Sequence, residues 1–393
     1  MKYANQYLQS AHTILDAYDG STPLAVFLKK YFSLHKKHGS RDRKNITHLC
    51  YAYCRLGHAG KNLLLEQRIR IALFLVNETA EGWAELFEQS WLEQWEKALN
   101  VKLAFVKLQF PLFVIADLFP SIKNLSETID AEQFLLSHLV QPDLFLRIRP
   151  GQWKNVTQKL SEASIPFKAI SNTTLSLPNS AKIDELLLLD KEAVIQDFSS
   201  QRMAEILSQV KVFTTNKFRF WDCCAASGGK TILSKDTLGE MDITVSDIRT
   251  SILYNLATRF QKAGINKYKS LTTDLSKPNC VLPSSMFDLI LCDAPCSGSG
   301  TWGRTPEQLL FFTENDVKAF ADLQKNIVTN VLPLLVTGGY FLYITCSVFK
   351  QENEDIAAMI AAKNTGLALI SLQHINGYAQ KADSMFAVLF QKK

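Results

Sequence analysis

Nothing in this 393-residue chain is apolar for long enough to cross a bilayer. A membrane span needs about 18 uncharged apolar residues in a row. The nearest approach, around Leu103 to Ala116, is interrupted by Lys107 and Pro111. The N-terminus also lacks the apolar centre of a secretory leader, so a cytoplasmic location is expected. Cysteine is too thinly spread to make a disulfide scaffold: eight residues serve the whole length. Adjacent Cys223 and Cys224 fit no zinc spacing, Cys50 and Cys54 fall on one helical face, and the seven histidines do not gather around any of them. No metal is expected on that count. Repeats and low-complexity segments are absent as well. Acidic residues are nearly missing between Lys29 and Arg70, where eleven Lys or Arg face only Asp42 and Glu66 and leave a local charge of +9. Such a segment suits either a solvated helical face or contact with a phosphate backbone.

The chain is too long for one compact core, so two or three domains are expected. Its 47% hydrophobic and 21% charged content is ordinary for a folded protein. Residues 1–135 read as helical: apolar residues recur at three- and four-residue spacing, as in Ile46, Leu49, Tyr53 and Leu56, and proline occurs only at 23, 111 and 120. Ser40 or Asp42 can cap the helix that starts near Ser40-Arg-Asp-Arg43. Residues 136–202 change texture. Pro142, Pro150, Pro166 and Pro178 bracket short strands such as 144–148 and 174–177, which predicts a small α+β connector. Arg147 and Arg149 share one face of the first of these strands, either solvated or turned toward nucleic acid. From 203 to 393 strands alternate with helices. Strands are expected at 218–222, 242–246, 270–273, 287–292 and 339–345, with a final pair near 367–371 and 385–390. Helices are expected at 249–263 and 316–335. This order predicts an α/β domain with a parallel sheet, whose ligand binds beyond the carboxyl ends of the strands.

The informative residues fall at those ends. Cys224-Ala225-Ala226-Ser227-Gly228-Gly229-Lys230-Thr231 follows the first strand as a small-residue turn leading into a helix, a place where backbone can approach a ligand closely. Gly-Lys-Thr resembles a phosphate loop, but that loop needs a glycine at position 224, where Cys stands. The turn also lacks the GxGxxG of a nicotinamide site. Asp247 ends the second strand and is spaced to hold ribose hydroxyls, and Asp274 ends the third, within reach of an adenine amino group. Either could instead cap a helix. Cys296, in Asp293-Ala-Pro-Cys-Ser-Gly298, and Cys346, in Thr345-Cys-Ser347, end two further strands. One such thiol reads equally well as a small core residue. Two beside a nucleotide-like turn and Asp293 suggest a nucleophilic thiol and a cofactor in one pocket.

With Gln196-Asp197-Phe-Ser-Ser-Gln201, Asp222-x-Cys-Ala-Ala-x-Gly-Gly-Lys-Thr231, Asp247, Arg304-x-Pro306-Glu307, Glu352-Asn-Glu354 and Asp383-x-x-Phe386, these motifs resemble the RNA cytosine-5 methyltransferases, most closely the small-subunit ribosomal RNA methyltransferase B type. The resemblance covers about residues 140–393. A weaker one, on Arg41-Asp-Arg43 and Tyr51-x-x-x-Arg55, is to the NusB-like RNA-binding domain of the same proteins. It implies a Rossmann-like domain that binds S-adenosylmethionine through residues 224–230, Asp247, Asp274 and Asp293. It further implies Cys346 as the nucleophile toward cytosine carbon 6, Cys296 as the thiol that assists release, Asp293 as a hydrogen-bond partner of the base, and Lys230 as a nearby cation. RNA contacts are expected from Arg41, Arg43, Lys44, Arg147, Arg149 and Arg304, with ribosomal RNA as partner and a monomeric protein. Transfer RNA as substrate, or a non-catalytic assembly factor on the same fold, are the alternatives. The chain departs from the pattern at Ser227, where proline is usual and a looser turn is expected. It departs again at Ile252, where arginine is common, and at Gly303, where a second basic residue is common.

Overall fold

The computed structural model describes residues 3–119, 122–211, 218–363 and 366–393. It divides into two compact units. One comprises Met1–Lys123, Asp130–Gln141 and Trp302–Glu314; the other comprises Asn124–Ile129, Pro142–Thr301 and Asn315–Lys393.

The first unit is helical, with its longer helices at Ala4–Ala17, Leu24–Leu34, Ser40–Cys54, Leu65–Val76 and Leu99–Gln109. The three- and four-residue spacing read from the sequence buries Leu8, Ala11 and Ile14 on one helix and Ile46, Leu49 and Cys50 on another. Asp42 does cap: its carboxylate accepts the Gly39 N–H at 2.9 Å and the Tyr7 hydroxyl at 2.7 Å. At Gly57 the chain turns with φ of +50°, and a Cβ there would lie 1.9 Å from the Leu118 carbonyl oxygen, so only glycine fits. The basic run splits in two. Lys29, Lys30, Lys36, Lys37, Arg41, Arg43, Lys44 and Lys61 are exposed. Arg55 is buried instead, donating to the His138 carbonyl at 2.9 Å and the Gln141 side chain at 2.6 Å, and Arg68 is buried against the Tyr53 hydroxyl. Trp302 and Glu307 belong to this unit too: the Glu307 carboxylate accepts the Leu24 N–H at 3.1 Å.

The second unit holds two sheets. The smaller is antiparallel, with β1 (Leu144–Ile148), β2 (Lys168–Ala169), β3 (Thr174–Leu177) and β4 (Ala193–Ile195) in the order β2-β3-β1-β4. Its core of Leu146, Ile148, Leu175 and Leu177 is closed by Val156 and Leu160 of the helix Trp153–Glu162. The larger contains β5 (Arg219–Asp222), β6 (Asp242–Asp247), β7 (Tyr268–Thr272), β8 (Phe287–Asp293), β9 (Leu335–Thr345), β10 (Leu367–Asn376) and β11 (Ser384–Lys392), ordered β10-β11-β9-β8-β5-β6-β7. The strands from β9 to β7 pair in parallel, and β11 runs antiparallel between β9 and β10. Its central strands are apolar throughout because both faces are covered. In β8, Leu289 and Leu291 enter one core with Phe220 and Val245, while Ile290 and Cys292 enter the other with Trp221, Phe341 and Tyr343. After β5 the chain moves outward to β6 and β7, then returns to place β8 and β9 on the opposite side. The reversal lies between β5 and β8, where open parallel sheets bind ligands.

Arg147 and Arg149 require a correction. Arg147 is buried and donates to Asp236 at 2.5 Å and to the Gln196 side chain at 2.7 Å, and Arg149 donates to the same Asp236 at 2.8 Å. A desolvated guanidinium must keep its carboxylate, so this strand face is committed to the helix Gly229–Leu238, which carries Asp236, and not to RNA. Among the described residues no helix is long and apolar enough to cross a membrane.

Candidate active site

Beyond the ends of the parallel strands lies a cavity of about 440 Å³. Cys224, Ala226, Asp247, Asp274, Asp293, Cys296 and Cys346 all line it, so five separated stretches of sequence converge there. The remaining turn residues hold its shape. Ala226 has a positive φ of 45°, Gly228 of 82°, and Gly229 opens the helix Gly229–Leu238. At Ser227, where a looser turn is expected, the hydroxyl and carbonyl accept Arg259 Nη1 at 2.8 and 3.1 Å while Arg259 is paired with Asp190 at 2.7 Å. The hydroxyl supplies by hydrogen bonding what proline supplies by ring rigidity. Asp247 accepts the Ala226 N–H at 3.0 Å and the Arg249 N–H at 2.9 Å, which clamps the turn to β6. Asp274 lies two residues past β7 and accepts from the N–H and hydroxyl of Ser276, which hold its carboxyl below the usual range. It is thus both a turn cap and a cavity residue.

The donor set fits an adenosyl cofactor. Three carboxylates face the cavity, apolar Ile248, Leu275, Leu323 and Ile327 supply walls for a purine, and a small-residue turn brings backbone to the edge. Asp222 sits behind the turn, fully buried, with one carboxylate oxygen taking the Thr231 hydroxyl at 2.7 Å and the other left without a partner. Burial pushes its carboxyl up to about 8.

Opposite the turn, Lys230 Nζ donates to Asp293 at 3.1 Å, and the sulfurs of Cys296 and Cys346 lie 3.3 Å apart. The hydrogen bond with Cys346, aided by burial, pushes the Cys296 thiol well above its ordinary value, so Cys296 keeps its proton. Glu352 fixes the two cysteine turns to each other. It accepts the Ser297 N–H at 2.8 Å, the hydroxyls of Ser297 and Ser347 at 2.5 Å, and the Gln324 amide at 3.1 Å. Burial raises its carboxyl in spite of these donors. Asn353 donates to the Ser347 carbonyl at 2.9 Å and to Ser126 at 3.1 Å. Gly300 completes the arrangement: its N–H meets the Cys346 carbonyl at 2.8 Å, and a Cβ would come within 2.0 Å of the Ser384 carbonyl.

The motif residues Asp197, Ser199 and Asp383 form a clasp outside the cavity lining, while Gln201 donates to the Gln196 carbonyl at 2.8 Å. Asp197 accepts the Asp383 N–H at 3.1 Å, and Ser199 donates to the Asp383 carbonyl at 2.6 Å. Of the other expected RNA-binding residues, Arg41, Arg43 and Lys44 are exposed on the first unit, to which Arg304 also belongs. Sequence reasoning found the Glu352-Asn353-Glu354 motif without its task, and gave no signal for Arg259, Asp190, Ser126 or Gln324. Each of these acts through a partner tens to hundreds of residues away.

A parallel sheet extended by an antiparallel β11, with a small-residue turn after its first strand and carboxylates at the next ends, is the Rossmann-like fold of S-adenosylmethionine-dependent methyltransferases. The profile of the 16S rRNA methyltransferase RsmB/F family matches residues 191–391. A probable ribosomal RNA small subunit methyltransferase B from Synechocystis sp. is 31% identical over 220 residues, which cover 54% of this chain and 48% of that protein. The Proteus mirabilis ribosomal RNA small subunit methyltransferase B is 32% identical over 205 residues, covering 51% and 46%. The aligned region thus spans about half the length of these relatives. The crystal structure of PH0851 superposes with a TM-score of 0.70, at 18% identity over 99% of this chain and 98% of that one. That of NSun6 from Pyrococcus horikoshii with SFG gives 0.59, at 15% identity over 70% and 99%. Both share the fold. The chain belongs to the 16S rRNA methyltransferase RsmB/F family, and its cofactor is S-adenosylmethionine.

Proposed function

We propose that this protein methylates carbon 5 of a cytosine in RNA, with small-subunit ribosomal RNA as substrate, through a covalent bond between Cys346 and the base. The observation that carries the reading is the pair of sulfurs 3.3 Å apart at the ends of β8 and β9, beside Lys230 and Asp293. Carbon 5 of cytosine is a poor nucleophile. Addition of the Cys346 thiolate to carbon 6 gives carbon 5 enamine character. Asp293 shares a proton with ring N3, which neutralises the charge that the addition places on the ring and favours that addition. Cys296, kept protonated, donates to the neighbouring thiolate before attack. Residues 224–230, Asp247 and Asp274 hold S-adenosylmethionine, which when bound supplies the electrophilic methyl. A water molecule then takes the carbon 5 proton, the carbon 6–sulfur bond breaks to return the Cys346 thiolate, and Cys296 assists that release by hydrogen-bonding the leaving sulfur. The target base must leave its stack to reach the cavity. The exposed lysines and arginines of the helical unit supply contacts to phosphates of the RNA.

The test is a denaturing gel of the Cys296→Ala protein incubated with S-adenosylmethionine and small-subunit ribosomal RNA. A protein–RNA adduct is expected that vanishes when Cys346 is also replaced. An adduct trapped by Cys346→Ala but not by Cys296→Ala would reverse the two roles, and an adduct formed only with transfer RNA would change the substrate.

A further inference from the structure

The cofactor turn abuts a second group of thiols that the proposed chemistry leaves idle. Cys223 and Cys224 follow β5, and Cys292 lies on the neighbouring strand β8. Asp222 pairs with Leu291 in the parallel ladder and the Cys223 N–H donates to the Leu291 carbonyl at 2.9 Å, which brings Cys223 level with Cys292. The three sulfurs all lie within 4.8 Å of one another, and all three thiols are free. Cys223 and Cys224 also line the cavity. In a tetrahedral zinc site the metal–sulfur distance is about 2.3 Å, which sets sulfurs roughly 3.8 Å apart. Small side-chain adjustments therefore close the triangle. Three thiolates leave the fourth position open, and the cavity that Cys223 and Cys224 line, with Asp247 and Asp293 also on its wall, lies next to the three sulfurs.

We propose that Cys223, Cys224 and Cys292 form a site for a thiophilic d10 cation such as Zn²⁺, whose open position faces the cofactor cavity so that ion and adenosyl cofactor exclude one another. Three S–H bonds break, three metal–sulfur bonds form, and three protons pass to water. The ion does not enter the methyl transfer; it competes with the cofactor for the space beside the turn residue Cys224. The exclusion, though not the thiol site, rests on the cofactor assignment above.

The probe is Zn²⁺ titrated against a chromophoric chelator, using full-length protein in a Cys296→Ser/Cys346→Ser background that removes the other cavity thiols. One equivalent is expected, and X-ray absorption of the loaded protein should count three sulfur neighbours. Cys292→Ala on the same background should weaken binding at least about tenfold. Fewer than three sulfurs, or unaltered affinity in Cys292→Ala, overturns the site. The sulfur count is read on unaltered Cys223, Cys224 and Cys292, so it decides the matter even where Cys292→Ala fails to fold. Saturating S-adenosylhomocysteine should lower zinc affinity, and zinc should lower S-adenosylhomocysteine affinity by the same factor. Simultaneous binding of both overturns the exclusion. Failure of S-adenosylhomocysteine to bind zinc-free protein sinks the cofactor assignment instead.

Discussion

Cys296 and Cys346 are chemically identical side chains made unlike by their surroundings. Cys296 keeps its proton because its sulfur is hydrogen-bonded to Cys346 and buried, which is consistent with the roles proposed for the two thiols. Cys346→Ala should therefore abolish methyl incorporation from labelled S-adenosylmethionine, whereas Cys296→Ala should stall after the first turnover. Multiple turnovers by Cys346→Ala would refute the assignment. Asp222 gives a prediction of a different kind. An unfolded carboxyl titrates near 3.9, and burial raises this one to about 8 in the folded chain. The folded state thus holds a proton that the unfolded state has lost across that window. The stability tied to the neutral carboxyl is complete below about pH 4 and is lost as pH rises through about 8. Asn mimics the neutral form and still accepts from Thr231. Urea midpoints of Asp222→Asn should fall less than those of the parent between about pH 6 and pH 9. Equal pH slopes for the two proteins would show that Asp222 is ionised when folded.

At the scale of elements, a turn is only as rigid as the groups that hold it. The stretch from Cys224 to Lys230 is anchored by Asp247 on one side and by the Asp190–Arg259–Ser227 chain on the other. Arg259→Ala removes the second anchor without touching the cavity. It should weaken S-adenosylhomocysteine binding about tenfold, near 1.4 kcal/mol by calorimetry, with little change in the adduct-forming step. Unchanged affinity would mean that the Asp247 clamp suffices. The cysteine turns are held in the same way by Glu352 and by close packing at Gly300. Adding one methyl in Gly300→Ala forces the Ser384 carbonyl or the Cys346 turn aside. A drop in kcat of at least about tenfold at nearly constant cofactor affinity is expected, measured by single-turnover methyl transfer.

For the whole molecule, the basic residues must be sorted by what surrounds them. Arg41 and Lys44 are exposed, whereas Arg147 is sealed against Asp236. Replacing both Arg41 and Lys44 by Ala should flatten the log–log salt dependence of RNA binding by about 1.4, at roughly 0.7 per phosphate contact on single strands. Arg147→Ala should leave that slope alone and cost about 2 kcal/mol of stability, the loss of one charged hydrogen-bond partner while Arg149 still holds Asp236, read from urea unfolding. The opposite pattern would return Arg147 to the RNA surface.

The sequence by itself determined the helical first part, the alternation of strand and helix after residue 203, and the turn and thiol motifs. These are local signals: hydrophobic period, small residues at strand ends, and short strings around reactive groups. Strand positions in the large sheet therefore agree with expectation, and the cofactor and family follow from motifs lying within 191–391. Only the tertiary structure decided what each charge faces. Alternation put Arg147 and Arg149 on one strand face but carried no sign of Asp236, 87 residues after Arg149. The same distance in sequence hid the Arg259 support for Ser227 and the arrival of Cys292 beside Cys223 and Cys224. Patterning records whether a residue is buried or exposed in its own element, whereas partners brought from distant elements depend on strand order, which short-range periodicity does not encode.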